Sequence, residues 1–309
     1  MAEKTAVLQT VLAKKRRSSY RRESQGYRVF TVFNNILMVI ICFLTLYPFL
    51  YLVAQSFSSE QAIMQGKVSI IPVEFNVTTY KKVLEKGDFL RYYKNTLVYS
   101  VIGTILSIFF SSCLAYPLSK PNLKLNKFFT PFIIFTMYFA GGLIPTYVLM
   151  IRLGLRDTVM GFILPGLIST YYVLLMRSFF NGVPHDLEEA GELDGLSKTG
   201  IFFRIVLPLS KPIIATMVLF YAVGYWNNWF TAFLYLDSKE KWPVAFYLKT
   251  IITGASQTSD PGDAAGDKMQ VAANIKACSM LLMAAPIICV YPFIQKYYVQ
   301  GMMLGGVKE

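Results

Sequence analysis

Long uncharged stretches alternate with short charged ones along this chain. Each uncharged stretch approaches or exceeds the roughly 20 residues that an apolar helix needs to cross a bilayer. The six stretches are 30–55, 95–119, 128–151, 158–176, 212–236 and 277–295. This pattern predicts an all-α integral membrane protein with six transmembrane helices.

The composition agrees with a membrane location. Of the 309 residues, 54% are hydrophobic and only 16% are charged, which is too apolar for a typical soluble protein. The first 29 residues are polar and basic. The apolar stretch that follows is too long for the core of a signal peptide and lacks an obvious small-residue cleavage site. We therefore expect the first helix to remain attached.

The distribution of charge predicts the orientation. If the N-terminus is cytoplasmic, the segments 1–29, 119–127, 177–211 and 296–309 are cytoplasmic as well. They hold more than half of the 30 Lys and Arg residues but fewer than half of the 18 acidic residues, as the positive-inside rule requires. Both termini are therefore predicted to be cytoplasmic. The net charge of +12 then reflects topology and contact with anionic membrane lipid, and no nucleic-acid partner is expected.

A polar insert, 180–211, separates the fourth and fifth stretches. Asp186 is placed to cap a first short helix, and Gly195 gives the backbone freedom to end it. Ser197 can cap a second helix, which Pro208 is expected to end. The insert is thus predicted to be a cytoplasmic helix-turn-helix. The second helix is predicted to have an apolar face formed by Ile201, Phe202, Ile205, Val206 and Leu209.

The sequence of this insert resembles the cytoplasmic coupling loop of the permease subunits of ATP-binding-cassette (ABC) importers. The residues that carry the resemblance are Glu189, Ala190, Gly191, Asp194, Gly195, Ile205, Leu207 and Pro208. Gly191 stands where this family usually has a second alanine, and Leu196 also departs from the usual pattern. The resemblance implies that Glu189 and the bend at Gly195 lie in a cleft of an ATPase subunit.

From about Tyr93 to its end, the chain resembles the second permease subunit of carbohydrate importers, in the branch associated with complex oligosaccharides and polysaccharide fragments. Segments 141–147, 153–158, 226–230 and 291–298 carry this wider similarity. It implies a permease domain at 30–298, containing the coupling loop, and a cytoplasmic tail at 299–309 in a bacterial plasma membrane. The implied partners are a second, different permease, two ATPase subunits and an extracellular solute-binding lipoprotein. ATP and Mg²⁺ are expected on the ATPase subunits, with no cofactor in this chain.

The absence of certain residues and motifs limits the kinds of chemistry that this chain can perform. None of the six stretches contains Asp, Glu, His, Lys or Arg, whereas a proton-coupled transporter usually buries an ionisable residue. No phosphate-binding G-x-x-x-x-G-K-[ST] motif is present. The four cysteines lie in apolar stretches and His185 is the single histidine, so no disulfide framework, metal site or catalytic site is predicted. The chain is not expected to be an enzyme.

The fifth stretch contains candidate substrate contacts. Aromatic faces can pack against sugar rings, and amide groups can bind hydroxyls. The candidates are Tyr221, Tyr225, Trp226, Asn227, Asn228 and Trp229. An equally good interpretation is helix packing and interfacial anchoring. Helical spacing places Tyr221, Tyr225 and Asn228 on one side and the two tryptophans on another.

These observations predict a permease subunit of an ATP-driven importer that takes up oligosaccharides or polysaccharide fragments by alternating access. An importer for a lipid-linked or amino-acid cargo is the main alternative. A passive sugar facilitator would have no use for the coupling loop. A membrane enzyme acting on glycans would need paired carboxylates near the membrane.

Overall fold

The computed structural model describes residues 25–85, 87–257 and 265–306. All regular elements among them are helices, which confirms the all-α prediction. The helices are α1 (Gln25–Ser56), α2 (Glu60–Met64), α3 (Thr78–Glu85), α4 (Gly87–Leu118), α5 (Asn126–Tyr138), α6 (Leu143–Arg152), α7 (Val159–Gly166), α8 (Thr170–Asn181), α9 (His185–Leu193), α10 (Lys198–Leu209), α11 (Lys211–Trp226), α12 (Trp229–Tyr235), α13 (Val244–Gln257) and α14 (Ala265–Gly306). Most of the predicted basic N-terminal segment and the end of the predicted tail, 307–309, lie outside the described residues.

Three helices in the described part of the chain are long and apolar enough to cross a membrane alone, namely α1, α4 and the 274–293 portion of α14. Three further spans are possible if each of three bent helix pairs counts as one. The bends measure 107° between α5 and α6, 56° between α7 and α8, and 82° between α10 and α11. The predicted number of six spans is therefore reached only with broken helices.

Three of the predicted stretches are not continuous helices, and stretch 158–176 is interrupted between α7 and α8. Stretch 128–151 breaks before α6, where Gly142 has a φ of +87° that side-chain-bearing residues rarely adopt. Stretch 212–236 breaks at Asn227, which ends α11, and Asn228, which begins α12. Hydropathy alone does not detect such breaks, because the residues at the breaks are uncharged.

The main core lies where α4 and α11 pack together, with α7, α8 and α10 around them. Gly103 of α4 faces the ring of Tyr225 of α11 so closely that an added Cβ would lie 2.7 Å from it. The buried side chains at this centre include Phe162, Val173, Met176, Phe180, Val206 and Met217. In contrast, the apolar window of α1 is not buried at all within this chain.

A polar junction on the side of the molecule opposite the coupling loop joins the α6–α7 connection to the segment after α12. The carboxylate of Asp157 accepts hydrogen bonds from the Asp237 and Ser238 amides, at 3.1 and 3.0 Å, and pairs with the Lys241 ammonium at 2.7 Å. Burial alone would raise the pKa of Asp157, but the hydrogen bonds from Lys241 and Ser238 outweigh it and hold this pKa well below its usual range. The junction therefore depends on an ionised carboxylate.

Candidate functional site

The first helix of the predicted coupling loop, α9, ends in a tight turn at Gly195. The Gly195 amide donates to the Glu192 carbonyl at 3.0 Å, and the Leu196 amide donates to the Gly191 carbonyl at 2.9 Å. These two bonds form a Schellman motif, in which the residue directly after the C-cap adopts a left-handed conformation. Gly195 has a φ of +81°. The predicted bend at Gly195 is thus present in the structure.

The start of α9 differs from the prediction. Helix α9 begins at His185, and Pro184 occupies the cap position without a side-chain hydrogen bond. Asp186 is therefore inside the first turn, and its predicted capping role is wrong. Asp186 and Glu188 both lie in that first turn, where negative charge interacts favourably with the helix dipole.

The second helix, α10, begins as predicted, because the Ser197 hydroxyl accepts a hydrogen bond from the Gly200 amide at 3.1 Å. A π-helical turn at Phe202–Val206 follows. It shifts the buried face, so that Ile201, Phe202 and Val206 are buried while Leu209 is 49% exposed. The predicted position of Leu209 on the apolar face is therefore wrong, since the wide π turn breaks the regular spacing of four.

Gly191 brings the two helices of the loop together. An added Cβ at Gly191 would lie 2.7 Å from Cδ1 of Ile205 and 3.4 Å from Cγ1 of Ile201. The position at which this chain has Gly191 in place of the family's usual alanine is thus a position that α10 approaches closely. The volume that an alanine methyl group would fill is taken by the end of the Ile205 side chain.

The other predicted coupling residues lie at different depths. Glu189, Ala190, Asp194, Gly195 and Pro208 are exposed, whereas Ile205 and Leu207 are half-buried. Leu193 is 91% exposed at the tip of α9, and sequence analysis did not select it. An acidic and apolar surface is therefore exposed at the turn. The close contact between Gly191 and Ile205 supports this surface on its inner side.

Sequence analysis also missed the buried acid of this loop. Glu188 is only 4% exposed and pairs with the Lys120 ammonium, just beyond the end of α4. The Tyr116 hydroxyl lies 3.5 Å from the same carboxylate. Glu188 shares a helix face with the buried Gly191, three residues on, and that spacing was the available signal. Lys120 is too distant in sequence for the pairing to be predicted.

The two candidate tyrosines in α11 bind the helices around them. The Tyr221 hydroxyl lies 2.7 Å from that of Ser111 and accepts a hydrogen bond from the Ser169 amide at 3.2 Å. The Tyr225 hydroxyl lies 2.9 Å from that of Ser107 and donates to the Ile163 carbonyl at 3.1 Å. Both tyrosines are buried. The hydrogen bonds between their hydroxyl groups and those of Ser111 and Ser107 stabilise the contact between α4 and α11.

The remaining candidates have distinct surroundings. Trp226 donates its indole N–H to the Met283 carbonyl of α14 at 3.0 Å, and the Asn228 amide oxygen accepts from the Thr231 amide as the cap of α12. Asn227 is exposed and donates back to the Val223 carbonyl. Trp229 is 37% exposed, and the Lys249 ammonium lies 4.9 Å from the centroid of its ring.

A cleft of about 270 Å³ brings three of these candidates together. Tyr221, Tyr225 and Asn228 line it, as helical spacing predicts, whereas Trp226 lines a separate apolar cavity between α4, α11 and α14. The other residues that line the cleft are Gly166, Ser169, Tyr172, Phe220 and Gly224. The lining contains no charged residue and combines aromatic faces with hydroxyl and amide groups.

Comparison with known proteins extends these observations to most of the chain. Residues 103–304 match the family model described as "Binding-protein-dependent transport system inner membrane component". Protein LplC of Bacillus subtilis is 39% identical, over 91% of this chain and 95% of its own length. The polygalacturonan/rhamnogalacturonan transport system permease protein YtcP of the same organism is 36% identical, over 88% and 95%.

A solved structure also matches over most of its length. A chain from the crystal structure of a bacterial ABC transporter involved in the import of the acidic polysaccharide alginate superimposes with a TM-score of 0.81 and 33% sequence identity, covering 89% of this chain and 98% of that chain. Permeases of this type operate with ATPase subunits and a solute-binding protein. The chain belongs to the family of binding-protein-dependent transport inner membrane components, and is a membrane permease subunit of an ABC importer, in which ATP is hydrolysed on separate subunits.

Proposed function

We propose that this permease imports oligosaccharides or polysaccharide fragments across a bacterial plasma membrane. It would do so beside a second, different permease, above two ATPase subunits that bind ATP and Mg²⁺, with an extracellular lipoprotein delivering the solute. In this arrangement the two termini and the coupling loop lie in the cytoplasm. The membrane-facing apolar surface of α1, which is unburied within this chain, is then available to the second permease and to lipid.

The uncharged cleft between α8 and α11 carries the saccharide assignment. Tyr172, Tyr221 and Tyr225 supply aromatic faces, and Ser169 and Asn228 supply polar groups. This combination suits the C–H faces and hydroxyl groups of a sugar ring. The names of YtcP and of the alginate importer, which both refer to polysaccharides, support the same class of cargo. A carboxylate on the cargo would need a cation from outside this lining.

A continuous series of contacts connects the coupling loop with the cleft. Glu188 pairs with Lys120 at the end of α4. About two and three turns back from the end of α4, Ser111 and Ser107 contact the hydroxyls of Tyr221 and Tyr225, which line the cleft. A displacement of α9 by the ATPase subunits would therefore move α4 and α11 together. This is the rigid-body coupling that alternating access requires.

The main rival cargo is a lipid-linked or amino-acid solute. An amino-acid site would need groups for an ammonium and a carboxylate, and the described lining of the cleft contains neither a cation nor an acid. A passive facilitator is disfavoured, because the family is one of binding-protein-dependent transport systems. The comparisons give no support to a glycan-modifying enzyme.

Substitution of Gly224 tests the role of the cleft. A Cβ at Gly224 would meet no atom within 4 Å, so Gly224→Leu can fill the cleft without displacing the core. In the purified complex with its binding protein, in lipid, neutral and acidic oligosaccharides of increasing length should stimulate ATP hydrolysis selectively. Gly224→Leu should abolish that stimulation and uptake, while unstimulated hydrolysis and the melting temperature stay unchanged.

Gly224→Ala is the matched control, because it adds only a methyl group at the same position. If no saccharide stimulates an intact and active complex, the saccharide assignment is wrong. If a saccharide stimulates the wild type and the Gly224→Leu variant equally, the cargo class stands but the cleft is not its site.

A further inference from the structure

A pair of adjoining clefts on the same side of the molecule as the coupling loop is distinct from the proposed saccharide site. One cleft, of about 340 Å³, lies between the α4–α5 connection, the end of α8 and the start of α9. The other, of about 600 Å³, lies along the α4–α5 connection and the first turns of α5. Pro121, Asn126 and Arg177 line both clefts, so the two spaces meet at these residues.

The lining of the two clefts is strongly cationic. It contains Lys120, Lys124, Lys127 and Arg177 against a single acid, Glu188. Glu188 is already paired with Lys120. Among the described residues, the remaining three cations have no carboxylate within ion-pair distance. The joined clefts therefore present an excess of positive charge that the described part of the chain does not neutralise.

The floor of the joined clefts is fixed by hydrogen bonds. The Arg177 Nε donates to the Leu118 carbonyl at 2.9 Å, which leaves both terminal amino groups of its guanidinium available. The Asn126 amide donates to the Leu118 and Lys120 carbonyls, each at 3.1 Å, and its oxygen accepts from the Thr130 hydroxyl at 2.6 Å. Arg177 is thus held in one orientation, and a fixed guanidinium suits a two-point contact with phosphate oxygens.

The position of the clefts indicates that a phosphate bound there would belong to a membrane lipid. They open at the ends of α4, α5 and α8, which belong to membrane-spanning segments. The first turns of α5 next to them expose Phe128, Phe129 and Phe132. A lipid whose acyl chains contact these rings would have its headgroup at the level of the lysines. Basic pockets at the ends of transmembrane helices are suited to anionic headgroups.

We propose that the joined clefts around Arg177 form a binding site for the phosphate of an anionic phospholipid headgroup. Arg177 provides the fixed contact, and Lys124 and Lys127 provide exposed charges at the mouth. Because Lys120 lines the same space, a bound phosphate would also lie beside the ion pair that connects the coupling helix to α4.

The test measures lipid binding to the full importer complex. The complex is transferred into phosphatidylcholine nanodiscs, titrated with phosphatidylglycerol, and the bound lipid is counted by native mass spectrometry after release. The double variant Lys124→Gln/Lys127→Gln removes two exposed charges and leaves the hydrogen-bonded floor intact. We expect it to weaken the tightest phosphatidylglycerol site about thirtyfold, from the usual contribution of each of the two removed cations near a membrane surface. Arg177→Gln should weaken that site at least as much.

Lys211→Gln is the matched control, since Lys211 is an exposed cation at the start of α11 that lines neither cleft. It should bind phosphatidylglycerol as the wild type does, and the basic residues of 1–24 contribute the same background in every variant. Equal binding by the double variant and the control would overturn the proposal. So would tight binding of phosphatidylcholine, or displacement of phosphatidylglycerol by inorganic phosphate but not by chloride at the same ionic strength, which would identify a free-phosphate site instead.

Discussion

The carboxylate of Glu188 in the coupling helix is paired with the ammonium of Lys120 at the end of α4, in a position where Glu188 is almost entirely buried. The pair joins two parts of the chain that are distant in sequence. It fixes the coupling helix to the helix that packs against the cleft-lining tyrosines.

Lys120→Ala tests the contribution of this pair to stability. The substitution leaves Glu188 buried without a counter-charge, which destabilises a folded state strongly when water cannot reach the group. We expect the free energy of unfolding to fall by about 2 kcal/mol, less than for a fully enclosed pair because Lys120 is partly exposed. Thermal unfolding of the purified complex measures this. The exposed Lys198–Glu192 pair is the control, and Lys198→Ala should have little effect. Equal effects of the two substitutions would contradict the prediction.

Gly195→Val is expected to uncouple ATP hydrolysis from uptake. A β-branched side chain resists the left-handed conformation at a φ of +81° by about 1–2 kcal/mol, so the turn between α9 and α10 opens. Gly195→Asn is the comparison, because asparagine tolerates this conformation better. The ratio of solute uptake to ATP hydrolysis in proteoliposomes should fall for valine and change less for asparagine. Normal coupling in the valine variant would show that the turn is not required.

The contact between Gly191 and Ile205 predicts a non-additive pair of substitutions. Gly191→Ala gains helix propensity of about 1 kcal/mol but places a methyl group against Cδ1 of Ile205. Ile205→Val removes that Cδ1 atom and leaves space. We expect the double variant to be more stable than the sum of the single effects by about 1 kcal/mol. Additive melting temperatures would show that the Ile205 side chain moves away freely.

Gly103→Ala should destabilise the contact between α4 and α11. The new methyl group would lie 2.7 Å from the Tyr225 ring, and this ring cannot easily turn because its hydroxyl is bound to Ser107 and Ile163. Overpacking of this kind costs about 1–3 kcal/mol. Gly224→Ala in α11, where the added Cβ meets no atom, is the matched control. A melting temperature for Gly103→Ala equal to that of the control would contradict the described packing.

The junction at Asp157 predicts an acid-dependent loss of stability. Its pKa in the folded chain is held below the unfolded value of about 3.9, so as the pH falls the unfolded chain binds a proton first. The stabilisation is complete above about pH 5 and is lost progressively below about pH 4. Asp157→Asn should lower the melting temperature at pH 6 and flatten its fall between pH 5 and 3. An unchanged slope would show that other groups cause the acid sensitivity.

The turn of the coupling loop could be predicted because its chemistry is local. Ser197 and Gly195 act on backbone groups within a few residues of themselves, and both behave as expected. The buried face of α10 was predicted only in part, since the π turn at Phe202–Val206 changes the spacing that the prediction assumed. A helix bulge of this kind has no simple sequence signature.

The pairing of Glu188 with Lys120 depends on a tertiary contact. Periodicity places Glu188 on a helix face but does not identify what covers that face. Asn228 illustrates a different ambiguity. Asparagine suits both a sugar contact and a helix cap, and in the structure its oxygen caps α12 while the residue also lines the cleft. The two interpretations of the sequence were therefore not exclusive at this position.

The position of Trp229 beside Lys249 gives the chain an internal optical reporter. Of its three tryptophans, Trp226 and Trp242 bind backbone carbonyls through their indole N–H groups and are less exposed than Trp229. An anionic quencher such as iodide is attracted to the Lys249 ammonium and collides preferentially with the neighbouring ring. The ratio of iodide quenching to quenching by neutral acrylamide therefore reports on the start of α12 without any added label.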